Sequence, residues 1–227
     1  ADVIIIFTFY KIISNEILEN ILKTKKIVYL RPCDSELISG GCHFHVEDFK
    51  KKFQFNCDNC PKFLIPFLKN IQKNILDKKE LILKKYKHRI FVQNNYVKKI
   101  FNSSKNYKKL KTSTIYIGAN KNRIKFFSKN YARTFLKINK QEKIILFGTF
   151  NLSSKVKGGH LLIDTMNILE KIIDKTNASK IRLITFGRKN NFNLNIKFIK
   201  WSHLGLIKDD KKLNLLLRAS DVFVCPS

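Results

Sequence analysis

Arginine is scarce in this chain for one so basic. Of 45 basic residues among 227, only seven are arginine (Arg31, Arg89, Arg123, Arg133, Arg182, Arg188 and Arg218). With 17 acidic residues the net charge is +28. A surface built to read bases or clamp phosphates favours the planar fork of arginine. Lysine, asparagine, isoleucine and phenylalanine, all abundant here, share AT-rich codons, so biased base composition gives this profile without a nucleic-acid partner. A specific nucleic-acid partner is therefore not expected. The alternative reading of the charge is a basic nucleic-acid or anionic-surface binding protein. It requires lysine and arginine gathered on one face with aromatics between them, whereas lysine is spread over every segment.

Other absences narrow the class further. No apolar run approaches the ~18–20 residues that span a bilayer. The opening "ADVIIIFTFYK" lacks a basic leader and a small-residue cleavage site, and reads as a buried strand. Five cysteines (Cys33, Cys42, Cys57, Cys60 and Cys225), an odd number, and no secretory signal argue against a disulfide framework. Reduced thiols or a metal site fit better, which points to a cytoplasmic protein, with peripheral contact to an anionic inner membrane face as an option that the charge leaves open.

What is present is an alternation of strand and helix patterns. Strand-length apolar runs fall at 2–9, 26–30, 89–93 and 113–118, with helical periodicity at 14–24, 63–86 and 95–104 and a cysteine-bearing loop at 31–62. After a polar, basic stretch at 118–141, read as a linker, a cleaner series starts: strand 143–150, loop 151–159, helix 160–176, strands 180–187 and 196–199, helix 209–220 and strand 221–225. Short apolar strands alternating with helices predict parallel sheets. The expected organisation is α/β, with one Rossmann-like domain over 1–117, a linker over 118–141 and a second domain over 142–227.

Two segments carry candidate chemistry. In "KVKGGHLLID" a strand runs into a loop with Lys155 and Lys157, then Gly158, Gly159 and a helix start beside His160. Glycines admit a ligand close to the backbone, and a helix N-terminus with two lysines makes an anion site; a flexible turn with solvated lysines is the other reading. The segment has neither G-x-x-x-x-G-K-S/T nor G-x-G-x-x-G. In "SGGCHFHVEDFKKKFQFNCDNCPKF", C-x-x-C at Cys57 and Cys60 with Cys42, His43 and His45, and Cys33 upstream, is compatible with structural zinc or with loop thiols. Asp34 is an acid or an N-cap. Trp201 and His203 read as structural.

These segments, in this order, resemble glycosyltransferase family 4, whose members have the GT-B fold, and within it the enzymes of bacterial surface-polysaccharide assembly. Asp34, Ser39, Gly40, Gly41, Cys42, His43, Phe44, Cys57, Cys60 and Pro61 fit a family stretch D-x-W-P…T-G-G-C-H-Y…C-x-x-C-P. "IYIGANKNRIKFF" is similar to the family's linker signature, with Asn120 where Asp is usual. "ILFGTFNLSSKVKGG" resembles the donor-domain strand and its K-G loop, and "FG" (186–187) and "LGLIKDDKKLNLLLRASDVFVCPS" its closing segment. Departures are Cys33 in place of a His, Glu36 in place of Trp and Thr149 in place of Arg, and one Cys of the family's loop is missing.

The resemblance implies two Rossmann-like domains facing a cleft, both incomplete, in an internal piece that stops before the acidic donor loop following P-S and is inactive alone. It implies a retaining hexosyltransferase that moves sugar from a UDP- or GDP-linked donor to a glycan or lipid-linked acceptor in surface-polysaccharide biosynthesis. Lys155, Lys157, Gly158 and Gly159 would hold the donor diphosphate, with no divalent metal or other cofactor required. Asp34 and His43 would be catalytic, Gly40 and Gly41 would form the acceptor-side loop, and zinc at Cys33, Cys42, Cys57 and Cys60 would be structural.

Overall fold

The structure is a computed structural model, described for residues 2–44, 54–60, 65, 68, 70–104, 107 and 110–226. It forms two compact units, Ala1–Gly118 and Ala119–Ser227. Among the described residues no helix is long and apolar enough to cross a membrane.

The first unit runs β1 (Val3–Ile6), α1 (Asn15–Lys23), β2 (Ile27–Leu30), α2 (Ile71–Lys85), β3 (Arg89–Val92), α3 (Asn95–Ser103) and β4 (Thr112–Thr114). Its sheet is parallel throughout, in the order β1-β2-β3-β4. Ser14 and Asn94 cap α1 and α3 by accepting the N–H groups of Ile17 and Val97. One strand face, with Ile6, Val28, Leu30, Ile90 and Val92, packs with Leu18, Leu22, Leu76, Leu83 and Phe101 of the helices into a single core. β1 ends earlier than the apolar run over 2–9 implies, because the Asp34 carboxylate takes the N–H groups of Phe9 and Tyr10.

The second unit runs α4 (Lys129–Phe135), β5 (Lys143–Asn151), α5 (Gly159–Ile172), α6 (Lys175–Ala178), β6 (Ile181–Arg188), β7 (Lys200–His203), α7 (Asp210–Ala219) and β8 (Val222–Val224). Its sheet is also parallel, but the order is β7-β6-β5-β8. The chain winds outward from β5 to β7, then returns to the other side of β5. Each face of the sheet has its own core. Leu162, Met166 and Ala178 cover Phe147 and Leu183 on one side. Ala132, Leu215, Leu216 and Ala219 cover Ile144, Leu146 and Ile184 on the other.

Three local expectations shift. The stretch 118–141 is more than a linker, because α4 lies within it and buries Ala132 and Arg133 in the second unit. An alanine and an arginine make a poor apolar signal. The helix expected over 160–176 breaks at Ile173, and Asp174 caps the short α6 by accepting the N–H of Asn177. The strand expected over 196–199 lies at 200–203 instead. Glu170, on α5, accepts the N–H groups of Lys197, Phe198 and Ile199, which withdraws them from the ladder.

Candidate active site

The return of the chain past β5 makes a topological switch point. In open α/β sheets ligands bind there, outside the carboxyl ends of the strands. A cavity of about 110 Å³ sits there, lined by Phe147, Gly148 and Thr149 of β5, by Val224 with Cys225 and Pro226 after β8, and by Lys157. Phe147 and Val224 are direct partners across the two parallel strands. A site for a whole drug-sized ligand is ~300–1,000 Å³, so the enclosed part suits a group of phosphate size.

The helix that follows is set for an anion. Lys155–Lys157 form a 3-10 turn, and Gly158 is the N-cap of α5 at φ 70°, ψ 23° with no side-chain cap hydrogen bond. The first N–H groups of a helix lack intrahelical acceptors, and here no capping side chain takes one. Gly158 is required twice over: its backbone is left-handed, and a Cβ would stand 2.7 Å from Pro226 Cγ. A Cβ on Gly159 would meet the Leu152 carbonyl at 1.9 Å, so this glycine serves packing. Lys155 and His160 are exposed, and neither lines the cavity. The four donor residues expected from sequence are thus adjacent, but Lys157 alone of the two lysines reaches the enclosed space.

Buried ionic work braces the opposite, amino-terminal end of β5 and β8. Arg133 donates to the carbonyls of Ala219, Asn139, Lys140 and Glu142, and to Asp221 Oδ2 at 2.7 Å. Asp221 also accepts the Ile144 N–H and the Lys129 ammonium. Burial opposes its ionisation, but Lys129, the Ile144 N–H and Arg133 together lower its pKa. One buried arginine so ties α4, the start of β5 and the entry to β8. On the α5 side, Trp201 Nε1 donates to the buried Thr185 hydroxyl at 2.9 Å, and that hydroxyl meets His203 Nδ1 at 3.0 Å. Burial, then the charge of Lys189, lowers the His203 pKa. Trp201 and His203 are both engaged with Thr185, within the sheet.

In the first unit the Asp34 carboxylate is fully engaged. Oδ2 accepts from Thr8 Oγ1 at 2.7 Å and from the N–H groups of Phe9 and Tyr10, and Oδ1 accepts from the Glu36 N–H. These bonds fix the turn after β1 and make Asp34 a positioning residue in this geometry. Tyr10, held by that turn, stacks on His43 with centroids 4.4 Å apart. A Cβ on Gly40 would lie 2.1 Å from the Gln72 carbonyl oxygen, and one on Gly41 2.6 Å from Gln72 Oε1, so the two glycines bring the loop against the start of α2. An open groove of about 840 Å³ lies beside them, with Tyr10, Lys11, Ser14 and Asn74 on its wall.

Sequence reasoning passed over Lys79, which organises this loop. Only 3% exposed, its ammonium donates to the carbonyls of Glu36 and Ser39 and pairs with Glu36 Oε1 at 3.1 Å. Burial lowers its pKa, with Glu36 opposing. The cysteines are not gathered. Cys33 is exposed, Cys42 half-buried, and Cys57 and Cys60 buried, with no disulfide among them. No three His, Cys, Asp or Glu side chains among the described residues are grouped to hold a metal. His45 and Pro61 lie outside the described residues.

No protein-family model matches the chain. No curated protein matches it either. Among solved structures it is similar to sucrose-phosphate synthase from Thermosynechococcus elongatus, with a TM-score of 0.52 and 16% identity over 94% of this chain and 55% of that one. The chain therefore spans about half the length of the structure it matches. At this identity the likeness is one of fold. With its two parallel four-stranded sheets, the chain has the α/β architecture of a GT-B glycosyltransferase, built from Rossmann-like units.

Proposed function

We propose that the chain is part of a retaining hexosyltransferase of the family 4 type, which moves a sugar from a nucleotide diphosphate donor to a glycan or lipid-linked acceptor in surface-polysaccharide biosynthesis. The observation that carries this reading is the switch-point cavity, lined by Lys157, with the start of α5 following Lys157 directly in the chain. The energetic problem in such a transfer is the charge that develops on the departing diphosphate. Preorganised donors in a partly dry site stabilise that charge best. Lys157 supplies a full positive charge, and the α5 N-terminus supplies N–H groups and a partial one. That pair serves the leaving group without a divalent cation. The acceptor would bind on the first unit, in the groove beside Gly40 and Gly41, near the Tyr10–His43 stack that Asp34 positions.

Lys157→Ala is expected to weaken UDP or GDP binding by ~1.5–3 kcal/mol, the range for hydrogen bonds to charged groups. Calorimetry gives that number. An independent readout is Cys225, an exposed thiol on the cavity wall. Its alkylation, followed by peptide mapping, should slow when nucleoside diphosphate is present, while Cys33 should react as before. Unchanged affinity in Lys157→Ala together with unprotected Cys225 removes the donor from this cavity.

A further inference from the structure

We propose that the outer face of α4, with the segment leading into it, docks on an anionic lipid bilayer surface. Residues 121–140 hold seven basic residues and no acidic one. Arg123 is paired with Asp210, Lys129 with Asp221, and Arg133 is buried on backbone carbonyls and Asp221. Lys121, Lys125, Lys137 and Lys140, and Lys211 from the neighbouring α7, form no ion pair among the described residues.

Between these cations lies an aromatic ladder. Phe127 stacks on Tyr131 at 5.5 Å, Tyr131 meets Phe135 at 6.2 Å, and the Lys211 ammonium lies 5.4 Å from the Phe135 ring. Ala132 and Arg133 turn inward, so the ladder's outer members face water: Tyr131 is 48% exposed, Phe135 55%, and Phe126, just before the helix, 88%. A solvated helix face is normally polar. Large rings flanked by lysines match the headgroup level of a membrane, where rings enter the boundary and ammonium groups reach lipid phosphates.

Charge selects the occupant. The patch is cationic and aromatic, so it complements an anionic, partly apolar surface. Single-stranded nucleic acid fits less well. Phe127 and Tyr131 are stacked face to face on each other rather than open to bases, and the arginines of the segment already have partners. α4 is only seven residues long, so the contact is a reversible docking patch.

The test uses the whole 227-residue chain in co-sedimentation with vesicles at near-physiological salt. Vesicles of phosphatidylcholine containing about one-third phosphatidylglycerol should bind it, and pure phosphatidylcholine should not. The triple variant Phe126→Ser, Tyr131→Ser, Phe135→Ser should lose about tenfold in partitioning, from the apolar area withdrawn. Neutralising Lys121, Lys125, Lys137 and Lys140 to Gln should lose at least as much. Phe198→Ser, an exposed ring elsewhere on this unit, should bind like the parent. Retained Trp201 fluorescence melting shows that the variants are folded. The proposal falls if the parent ignores anionic vesicles, if the folded triple variant binds them as tightly as the parent, or if the triple change abolishes binding to single-stranded DNA while sparing vesicles.

Discussion

The two units are built from the same pieces, four parallel strands with helices between them, yet among the described residues only the second closes a core on both faces. Winding direction makes the difference. In the first unit each strand is laid beside the last in the same sense, β1 to β4. Right-handed crossovers then put every connecting helix on one face, and the buried residues form one cluster. The opposite face carries Val3, Ile5, Ile27, Tyr29 and Phe91, and Ile5 is 51% exposed. In the second unit the return to β8 puts α4 and α7 on the face opposite α5 and α6. That reversal also creates the crevice holding Lys157. One topological decision therefore produces both the second core and the candidate donor site.

The sharpest way to break this comparison is to remove each unit's buried cation. Arg133→Met removes the buried partner of Asp221 and the donor shared by four carbonyls in the second unit. Lys79→Met removes the ammonium that meets the Glu36 carboxylate and the Glu36 and Ser39 carbonyls in the first. Breaking a buried charged network from one side costs ~3–5 kcal/mol. Trp201, the single tryptophan, lies in the second unit, so its fluorescence follows that unit alone while circular dichroism follows both. In a urea titration Arg133→Met should shift the tryptophan transition, and Lys79→Met should shift the dichroism transition without it. Coincident shifts in both variants would mean that the units unfold as one.

Next in size is a test of the bare face. Leu30→Ala, on the covered side of β2, should cost ~2–5 kcal/mol. Ile5→Ala, on the open side of β1, should stay within about 0.5 kcal/mol. Equal costs would show that the open face is covered in solution.

The smallest effect is on pH. Burial is the main cause lowering the pKa of both His88 in the first unit and His203 in the second, with the Tyr86 carbonyl opposing at His88 and the Lys189 charge adding at His203. A folded-state value below the unfolded ~6.5 means that the unfolded chain holds more protons in that window, so stability is full above it and declines as pH falls below ~6.5. His88→Gln should flatten the slope of the dichroism transition, and His203→Gln that of the tryptophan transition. Unaltered slopes would take these residues out of the acid response.

Much of this fold is legible in the sequence, because helix caps and apolar runs are local signals. Helices α1 and α3 and the Lys157-Gly158 turn lie where the sequence reading places them. The strand at 200–203 was not legible, because Glu170 displaces it through three N–H bonds reached only in the folded chain. Lys79 and Arg133 look like ordinary members of a lysine-rich chain; the Ser39 carbonyl that Lys79 meets lies 40 positions away, and the Asp221 carboxylate that Arg133 meets lies 88 away. Asp34 was legible as an acid or a cap, but its bonds to Thr8, Phe9 and Tyr10 were not, because those partners lie 24 to 26 positions away.

The strand order also has a consequence for how the protein is made. During synthesis the first unit's sheet can grow by simple addition, each new strand pairing with the one made before it. In the second unit β5 is made early, but the partner on its other side is β8, with Ile145 opposite Val222. Closing a loop of that length is slow compared with pairing neighbours. Until β8 emerges, one flank of β5 has no partner, and the wall made by Val224, Cys225 and Pro226 does not exist. The pocket around Lys157 thus forms only after β8 has been made, so the chain passes through a stage in which Lys157 and the helix end are present before the wall that encloses them.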